Sequence, residues 1–326
     1  MSSVDATDEL DWRELVGPLY WADVGSRGGF HDMSLLHPLV HMYSFDADAE
    51  AAPISQQFAS LNHFPFALYS CEGEGELFIA NSPGMTSLLN FDEDEFSRYF
   101  GLVPGSKRWK RTLELKHKGR THLRKADDVF RSEDVDRIDF FKLDTQGTEL
   151  EILKGAQGYL SAGRISVIKT EVSFVPVYSN QCLFGDIDSF LKKHGFVFVD
   201  CVFYPDGVYP QTREKAITGL RLVDEPRFSA VGDAIYVLNP SEYPESARDA
   251  AVVRSAVMLN QLGYVSFAFD MLSRGAYSKD FAERLLHATA MRKTRKSLLR
   301  DLLKSQLPPW AFHKALSFYR SLTSRS

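Results

Sequence analysis

The sequence predicts an α/β fold, doubly wound around a mostly parallel sheet, and three observations carry that expectation. Two strand-like runs, Tyr20-Trp21-Ala22-Asp23-Val24 and Ile138-Asp139-Phe140-Phe141-Lys142-Leu143-Asp144, each deliver an acid to a glycine-containing turn. Strand-like and helix-like segments alternate along most of the chain, the pattern of helices packed on both faces of a sheet. The run Ile165 to Glu171 carries few charges, as a central strand buried on both faces should.

The elements follow in order. A polar lead and a short helix occupy residues 1–18, closed by Gly17-Pro18. Leu19 to Val24 is the first strand, Gly25 to Gly29 its turn, and a helix is expected from about Asp32 to Leu36, stopped by Pro38. Val40 to Phe45 is the second strand. Phe66 to Cys71 reads as a third, followed by a hairpin-type turn at Gly73-Glu74-Gly75 and a return strand from Glu76 to Ala80. Asn81 to Lys107 is irregular. Trp109 to Leu115 alternates basic with apolar or hydroxylic residues and reads as a half-exposed strand, with a turn at Lys116 to Gly119 and a pairing strand at Arg120 to Arg124. A short helix begins at Asp127. The strand Ile138 to Leu143 then feeds a helix beginning at Thr148-Glu149. Ile165 to Glu171, Phe196 to Phe203 and Ala234 to Leu238 are the remaining strands, and Asp186 to His194 is a helix stopped by Gly195. Beyond Pro240 helices are expected at Ala247 to Leu262, Ser266 to Ser273 and Phe281 to Leu307. This divides the chain into a domain over residues 1–240, with its core at about 10–240, and a helical appendage over 241–326.

Composition narrows the class. Of 326 residues, 44% are hydrophobic and 25% charged, ordinary for a globular protein. Cys71, Cys182 and Cys201 form no metal-binding or disulfide pattern, which suggests a reducing compartment and a cytoplasmic protein. No apolar run approaches the roughly 20 residues needed to cross a bilayer. The net charge of −5 hides an asymmetry: residues 291–326 hold nine Lys or Arg against one acid, Asp301, while the rest holds 29 basic and 42 acidic residues. That basic tail, with Trp310, Phe312, Phe318 and Tyr319, is the candidate contact to the cytoplasmic face of a membrane or to a protein partner. The acidic body argues against nucleic acid.

Chemistry is expected at the carboxyl ends of the strands, where open α/β sheets bind ligands. The turn Gly25-Ser26-Arg27-Gly28-Gly29 allows positive φ and brings backbone close to a ligand. Its glycines are not spaced as in the G-x-G-x-x-G dinucleotide fingerprint. The turn suits a cofactor without a pyrophosphate, such as S-adenosylmethionine, whose ammonium needs a carboxylate that Asp23 is placed to supply. Asp46, about 20 residues past the turn, sits where nucleotide-binding folds place a ribose-binding acid. Gly25, Ser26, Gly28, Asp23, Asp46 and Asp144 are therefore the candidate cofactor-binding residues. His37 and His41 are the histidines with helical spacing, but Pro38 between them breaks the helix a shared metal would need, and no catalytic metal is expected.

The segment Lys142 to Ala156, KLDTQGTELEILKGA, and Glu171-Val172-Ser173-Phe174 with Tyr178 resemble the FkbM family of S-adenosylmethionine-dependent methyltransferases. The likeness lies in Asp144-Thr145-Gln146-Gly147-Thr148-Glu149, in Leu153-Lys154-Gly155-Ala156 and in the later strand with its tyrosine, over roughly residues 138–200. The chain departs from the family at Ser26-Arg27, where Ala-Asn is common, and at Asp46-Ala47, where Glu-Pro is usual. The resemblance implies a class I, Rossmann-like methyltransferase domain. It also implies methyl transfer to an oxygen or nitrogen, often on a glycan or small metabolite. The candidate catalytic residues are Asp144, Glu171 and Glu149, with Glu171 the better-placed base; Glu149 also suits the helix N-terminus it opens. Tyr178 and Gln181 are the candidate acceptor-pocket residues. The rival readings are a nucleotide-sugar or NAD-using enzyme on a related sheet and a non-catalytic module that binds the cofactor or a nucleotide without turnover.

Overall fold

A computed structural model describes residues 11–27, 29–48, 58–101, 106–203, 230–274 and 277–290. In chain order the elements are α1 (Trp12–Val16), β1 (Leu19–Val24), β2 (Val40–Phe45), β3 (Ser60–Phe64), β4 (Ala67–Leu68), β5 (Gly73–Ala80), α2 (Glu93–Phe100), α3 (Ser106–Leu113), β6 (Leu115–Arg124) and α4 (Ala126–Ser132). They continue with β7 (Ile138–Leu143), α5 (Glu149–Gly155), α6 (Gln157–Ser161), β8 (Ile165–Ser173), α7 (Phe184–Lys193), β9 (Phe196–Phe203), β10 (Val231–Leu238), α8 (Arg248–Gln261), α9 (Val265–Arg274) and α10 (Lys279–Ala288).

The main sheet has seven strands in the order β3-β2-β1-β7-β8-β10-β9, parallel from β3 through β8, with β10 antiparallel to both neighbours. The chain winds outward from β1 through β2 to β3, then returns to start the other half at β7. The reversal point therefore lies between β1 and β7, where such sheets hold ligands. The central strands are apolar because they are buried on both faces: Trp21, Phe140, Phe141, Ile165, Val167 and Ile168 are at most 1% exposed.

Between β3 and β7 the chain makes an excursion that the sequence pattern misreads. The expected hairpin at Gly73-Glu74-Gly75 does not form. Its two arms instead flank β6, β4 in parallel and β5 antiparallel, in a separate three-stranded sheet. Lys116 to Gly119, expected as a turn, lies inside β6, and most of Trp109 to Leu115, expected as a strand, is the end of α3. The reason is periodicity: Ser106, Trp109 and Leu113 are buried at helical spacing, and the alternation of the basic residues between them is incidental. The expected helix at Asp32 to Leu36 is a run of turns ending in a 3-10 turn at His37–Leu39. Strand β3 was not legible because a half-buried edge strand lacks a continuous apolar run. Of the long helix expected from Phe281 to Leu307, α10 is the described part, and residues 291–307 and the basic tail lie outside the described residues.

The helix α8 belongs to the main core. It contacts β7 and β8, and eleven of its fourteen residues are buried, so it is enclosed on nearly every side. Its Arg254 donates through Nε to Oδ1 of Asp139 at 2.7 Å, while Oδ2 accepts from the Tyr20 amide at 2.9 Å. Asp139 is 0% and Arg254 7% exposed. A carboxylate in this position ties β1, β7 and α8 together, and removing it strands a guanidinium in the core. We expect Asp139→Ala to cost about 3–5 kcal/mol, read by denaturant unfolding, and Asp139→Ala/Arg254→Met to recover most of that loss.

Candidate active site

The site grows from the meeting of two strand ends. The amide of Asp144 donates to the carbonyl of Val24 at 3.0 Å, continuing the β1–β7 ladder past the sheet edge. Gly25 takes φ +76°, and a Cβ there would lie 1.8 Å from the Asp144 carbonyl oxygen. Only glycine allows both. The amides of Gly25 and Ser26 then donate to the Phe45 carbonyl at 2.9 and 3.1 Å, turning the chain over the end of β2. A cavity of about 150 Å³ opens here, lined by Gly25, Arg27, Asp46, Phe66, Ser87, Asp144, Gln146 and others.

The expected cofactor residues take different places around it. Asp46 and Asp144 line the same cavity. Asp46 is 8% exposed; burial pushes its carboxyl above the ordinary range, against the Asp48 amide that donates to it at 2.9 Å. Ser26 accepts a hydrogen bond from Ser44 at 2.7 Å and is buried, so it braces the turn. Arg27 lines the cavity and pairs with Asp48. Gly28 lies outside the described residues. Asp23 is 2% exposed, is not among the residues that line the cavity, and accepts from Lys142 Nζ at 2.9 Å.

Lys142 was missed by sequence reasoning, because an apolar strand with one lysine reads simply as a buried strand. Its Nζ also lies 3.7 Å from Asp144, so one ammonium sits between the acids of β1 and β7. Burial alone would lower its pKa, but the charges of Asp23 and Asp144 outweigh that and hold it above the ordinary lysine value. Register explains the arrangement: Asp23 is opposite Lys142, and Lys142 is opposite Lys169 on β8. Lys169 in turn reaches Asp32 at 2.7 Å and Asp233 at 3.2 Å. Cross-strand lysines repel, and these acids neutralise them. With Glu171 added, five carboxylates (Asp23, Asp32, Asp144, Glu171 and Asp233) share this face with two ammonium groups.

Gln146 was the second omission. It takes φ +60°, uncommon for a residue with a Cβ, and is 9% exposed. Its Nε2 donates to Asp144 Oδ1 at 3.2 Å and to Glu171 Oε2 at 2.8 Å, while its Oε1 accepts from the Tyr178 hydroxyl at 3.2 Å. One amide therefore joins three expected site residues. Burial, followed by the charges of Asp144, Glu149 and Asp233, raises the Glu171 carboxyl well above the ordinary glutamate range.

Glu149 has a different setting. Its carboxylate accepts from the Thr145 amide at 2.8 Å, the Thr145 hydroxyl at 3.0 Å and the Gly147 amide at 3.0 Å. It holds the turn 145–147 in shape, and burial raises its pKa in spite of these donors. Gln181 likewise braces a loop: its Oε1 accepts from the Val177 and Tyr178 amides at 2.7 and 3.1 Å, and its Nε2 donates to Ser173 at 3.0 Å. Glu171, Gln146, Tyr178 and Gln181 line a second, smaller cleft of about 10 Å³ with Trp109 and Leu113.

This order of strand ends, glycine turn and acids coincides with a match to the model of the methyltransferase FkbM domain over residues 23–198. The chain belongs to the FkbM methyltransferase family. No curated protein and no solved structure matches it. The FkbM match begins at Asp23, near the end of β1, and ends within β9, so it takes in β2 through β8 and every residue lining the two clefts except Val231 of β10. Among the described residues no group of His, Cys, Asp and Glu is arranged to hold a metal ion, and no helix is long and apolar enough to cross a membrane.

Two outcomes test this geometry. Gly25→Ala places a methyl group against the Asp144 carbonyl; we expect a fall in melting temperature of several degrees and loss of ligand binding to the cavity, measured by differential scanning calorimetry and by titration. Glu171 has a folded pKa above its unfolded value, so the folded state binds its proton more tightly. Its stabilising contribution is full below the unfolded pKa and is lost as pH rises through the folded one. Glu171→Gln, which cannot ionise, is therefore expected to raise the melting temperature by roughly 1–4 °C at pH 8, a gain that vanishes near pH 4.

Proposed function

We propose that the protein is an S-adenosylmethionine-dependent methyltransferase acting on a hydroxyl oxygen of a carbohydrate or similar small acceptor. The observation that carries this reading is the charge at the strand ends: Asp46 and Asp144 line the larger cavity and Glu171 the smaller, on a face where five carboxylates meet two lysines. Such a floor suits a ligand bearing positive charge and opposes a pyrophosphate, which argues against the NAD and nucleotide-sugar readings. The residues also fit an adenosyl group. Gly25 leaves room for close backbone approach, Asp46 lies at the end of β2 where a ribose diol would meet a carboxylate, and Phe66, Ala67 and Leu68 give that end of the cavity an apolar wall.

When bound, S-adenosylmethionine supplies a methyl group already activated by its sulfonium charge. The protein's part is then alignment and removal of one proton. Holding the acceptor oxygen in line can contribute many kcal/mol through effective concentration. Glu171 takes the hydroxyl proton; its raised pKa makes its ionised form a stronger base than an ordinary carboxylate. Gln146 holds Glu171 and Asp144 at fixed separation, and Asp144 faces the cofactor side of the divide. Glu149 serves by shaping the turn that carries Gln146.

Radiolabelled methyl transfer into a glycan-containing cell extract tests this. Glu171→Gln is expected to lower the rate by about 10²–10⁴-fold. The wild-type rate should rise with pH through a midpoint above the ordinary glutamate range, because the base acts only when ionised. Equal labelling by wild type, Glu171→Gln and Asp144→Asn would remove both residues from the mechanism. Calorimetry with S-adenosylhomocysteine and NAD separates the cofactor classes; tighter binding of NAD would overturn the reading, and saturable adenosyl binding with no transfer to any extract would favour the non-catalytic module.

A further inference from the structure

The excursion between β3 and β7 contains a strongly basic block. Residues 107–125 hold nine Lys or Arg against one acid, Glu114, in a chain whose net charge is −5. The structure sorts these charges into two groups. On the small sheet, Lys118, Arg120 and Arg124 of β6 are matched by Glu76, Glu74 and Glu72, which leaves Lys116 there and Lys125 just after it without an ion pair among the described residues. On α3, Lys110 pairs with Glu93, but Lys107, Arg108 and Arg111 are exposed and make no ion pair among the described residues.

The position of α3 gives those three charges meaning. Its inward residues, Trp109 and Leu113, line the smaller cleft together with Gln146, Glu171 and Tyr178. Its C-terminal end is fastened to the wall of the larger cavity. The Asn81 side chain donates to the Arg111 carbonyl at 3.1 Å, and the Ser82 amide donates to the Thr112 carbonyl at 3.0 Å. Pro83 and Gly84, the next residues, line that cavity. One helix thus presents an apolar face to the smaller cleft and a cationic face to solvent.

We infer that the acceptor is an acidic saccharide, bearing carboxylate or phosphate, whose negative group is held by Lys107, Arg108 and Arg111 while its hydroxyl enters the cleft beside Glu171. This deepens the methyltransferase reading and rests on it for the second clause alone. The electrostatics require the separation. The floor is acidic and suits a cation, so an anionic group on the acceptor is repelled there and must be met at the rim. From Lys107 to Arg111 is about 6 Å along a helix axis, a match to one or two anionic groups. A nucleic-acid backbone extending past α3 would run onto the acids of α2, which the Lys110–Glu93 pair places alongside. A bilayer finds no apolar face on α3, since Trp109 and Leu113 are both buried.

The test is calorimetric titration of the full chain, with S-adenosylhomocysteine present, against hexagalacturonate, glucose 6-phosphate and uncharged maltohexaose. Three proteins are compared: wild type, Lys107→Gln/Arg108→Gln/Arg111→Gln, and a tail control, Arg292→Gln/Lys293→Gln/Arg295→Gln/Lys296→Gln. We expect an acidic sugar to bind wild type at least about tenfold more tightly than maltohexaose, with affinity falling between about 50 and 300 mM salt as screened charge requires. The α3 variant should lose at least about tenfold and the tail control less than about twofold. The carboxylate and phosphate probes distinguish the two sources of charge. No binding of either acidic probe, equal binding of maltohexaose, loss confined to the tail control, or tighter binding of single-stranded RNA or phosphatidylglycerol vesicles would overturn the inference. S-adenosylhomocysteine affinity is measured separately in each protein. If it is absent while acidic sugars still map to α3, the methyltransferase reading fails and the anionic site stands.

Discussion

The architecture depends on the abutment of two strand ends. The amide of Asp144 bonds to Val24, and Gly25 passes so close to the Asp144 carbonyl that no side chain fits between them. That contact closes the crevice at its base, and the chain on either side must then turn away: Gly25 and Ser26 over Phe45, and Thr145 to Gly147 toward the helix α5. Both turns are strained or tight. Gly25, Gln146 and Gly147 all have positive φ, and the carboxylate of Glu149 holds the second turn from within by accepting two of its amides. The acids that face the cavity are delivered by this geometry.

Charge is arranged by strand register. Parallel pairing sets Asp23 opposite Lys142 and Lys142 opposite Lys169, so one row across β1, β7 and β8 runs acid, base, base, and Lys169 reaches Asp233 on antiparallel β10, two residues out of register. Burying lysines in an apolar sheet is costly unless each finds a carboxylate, and each here finds two. The balance left over is negative. Burial raises the Glu171 carboxyl well above the ordinary glutamate range, and the charges of Asp144, Glu149 and Asp233 beside it push it further.

The excursion that carries α2, α3 and the small sheet completes the site from outside the main sheet. It contributes Trp109 and Leu113 to one cleft and Leu77, Pro83, Gly84 and Ser87 to the other. Ser87 donates to the Gln146 carbonyl at 2.8 Å and Tyr178 to the Met85 carbonyl at 3.2 Å, so this wall is bonded to the same turn and loop that hold the carboxylates. The division of labour is physical: the sheet fixes the reacting groups and the excursion shapes what can reach them.

The sheet strands β1, β2, β7 and β8 were legible in the sequence because burial on both faces leaves a long apolar run bounded by glycine and acids, and no tertiary information is needed to see it, while β9, a half-exposed edge strand, was legible from its own apolar run Phe196 to Phe203. The strand-end acids Asp46 and Asp144 were legible for the same reason, since chain order alone puts them at one edge. The small sheet was not legible: β4 and β5 pair with β6, which follows them by some forty residues, and local turn chemistry pointed to a hairpin instead. Lys142 and Gln146 were equally hidden. A lysine within a strand and a glutamine within a turn carry no signal of their own; their roles arise from cross-strand register and from a left-handed backbone that turns one amide toward the neighbouring Asp144 and the distant Glu171. Local patterning determined which segments are buried and where their acids emerge. Partner choice across the sheet is a nonlocal property, and only the folded chain decided it.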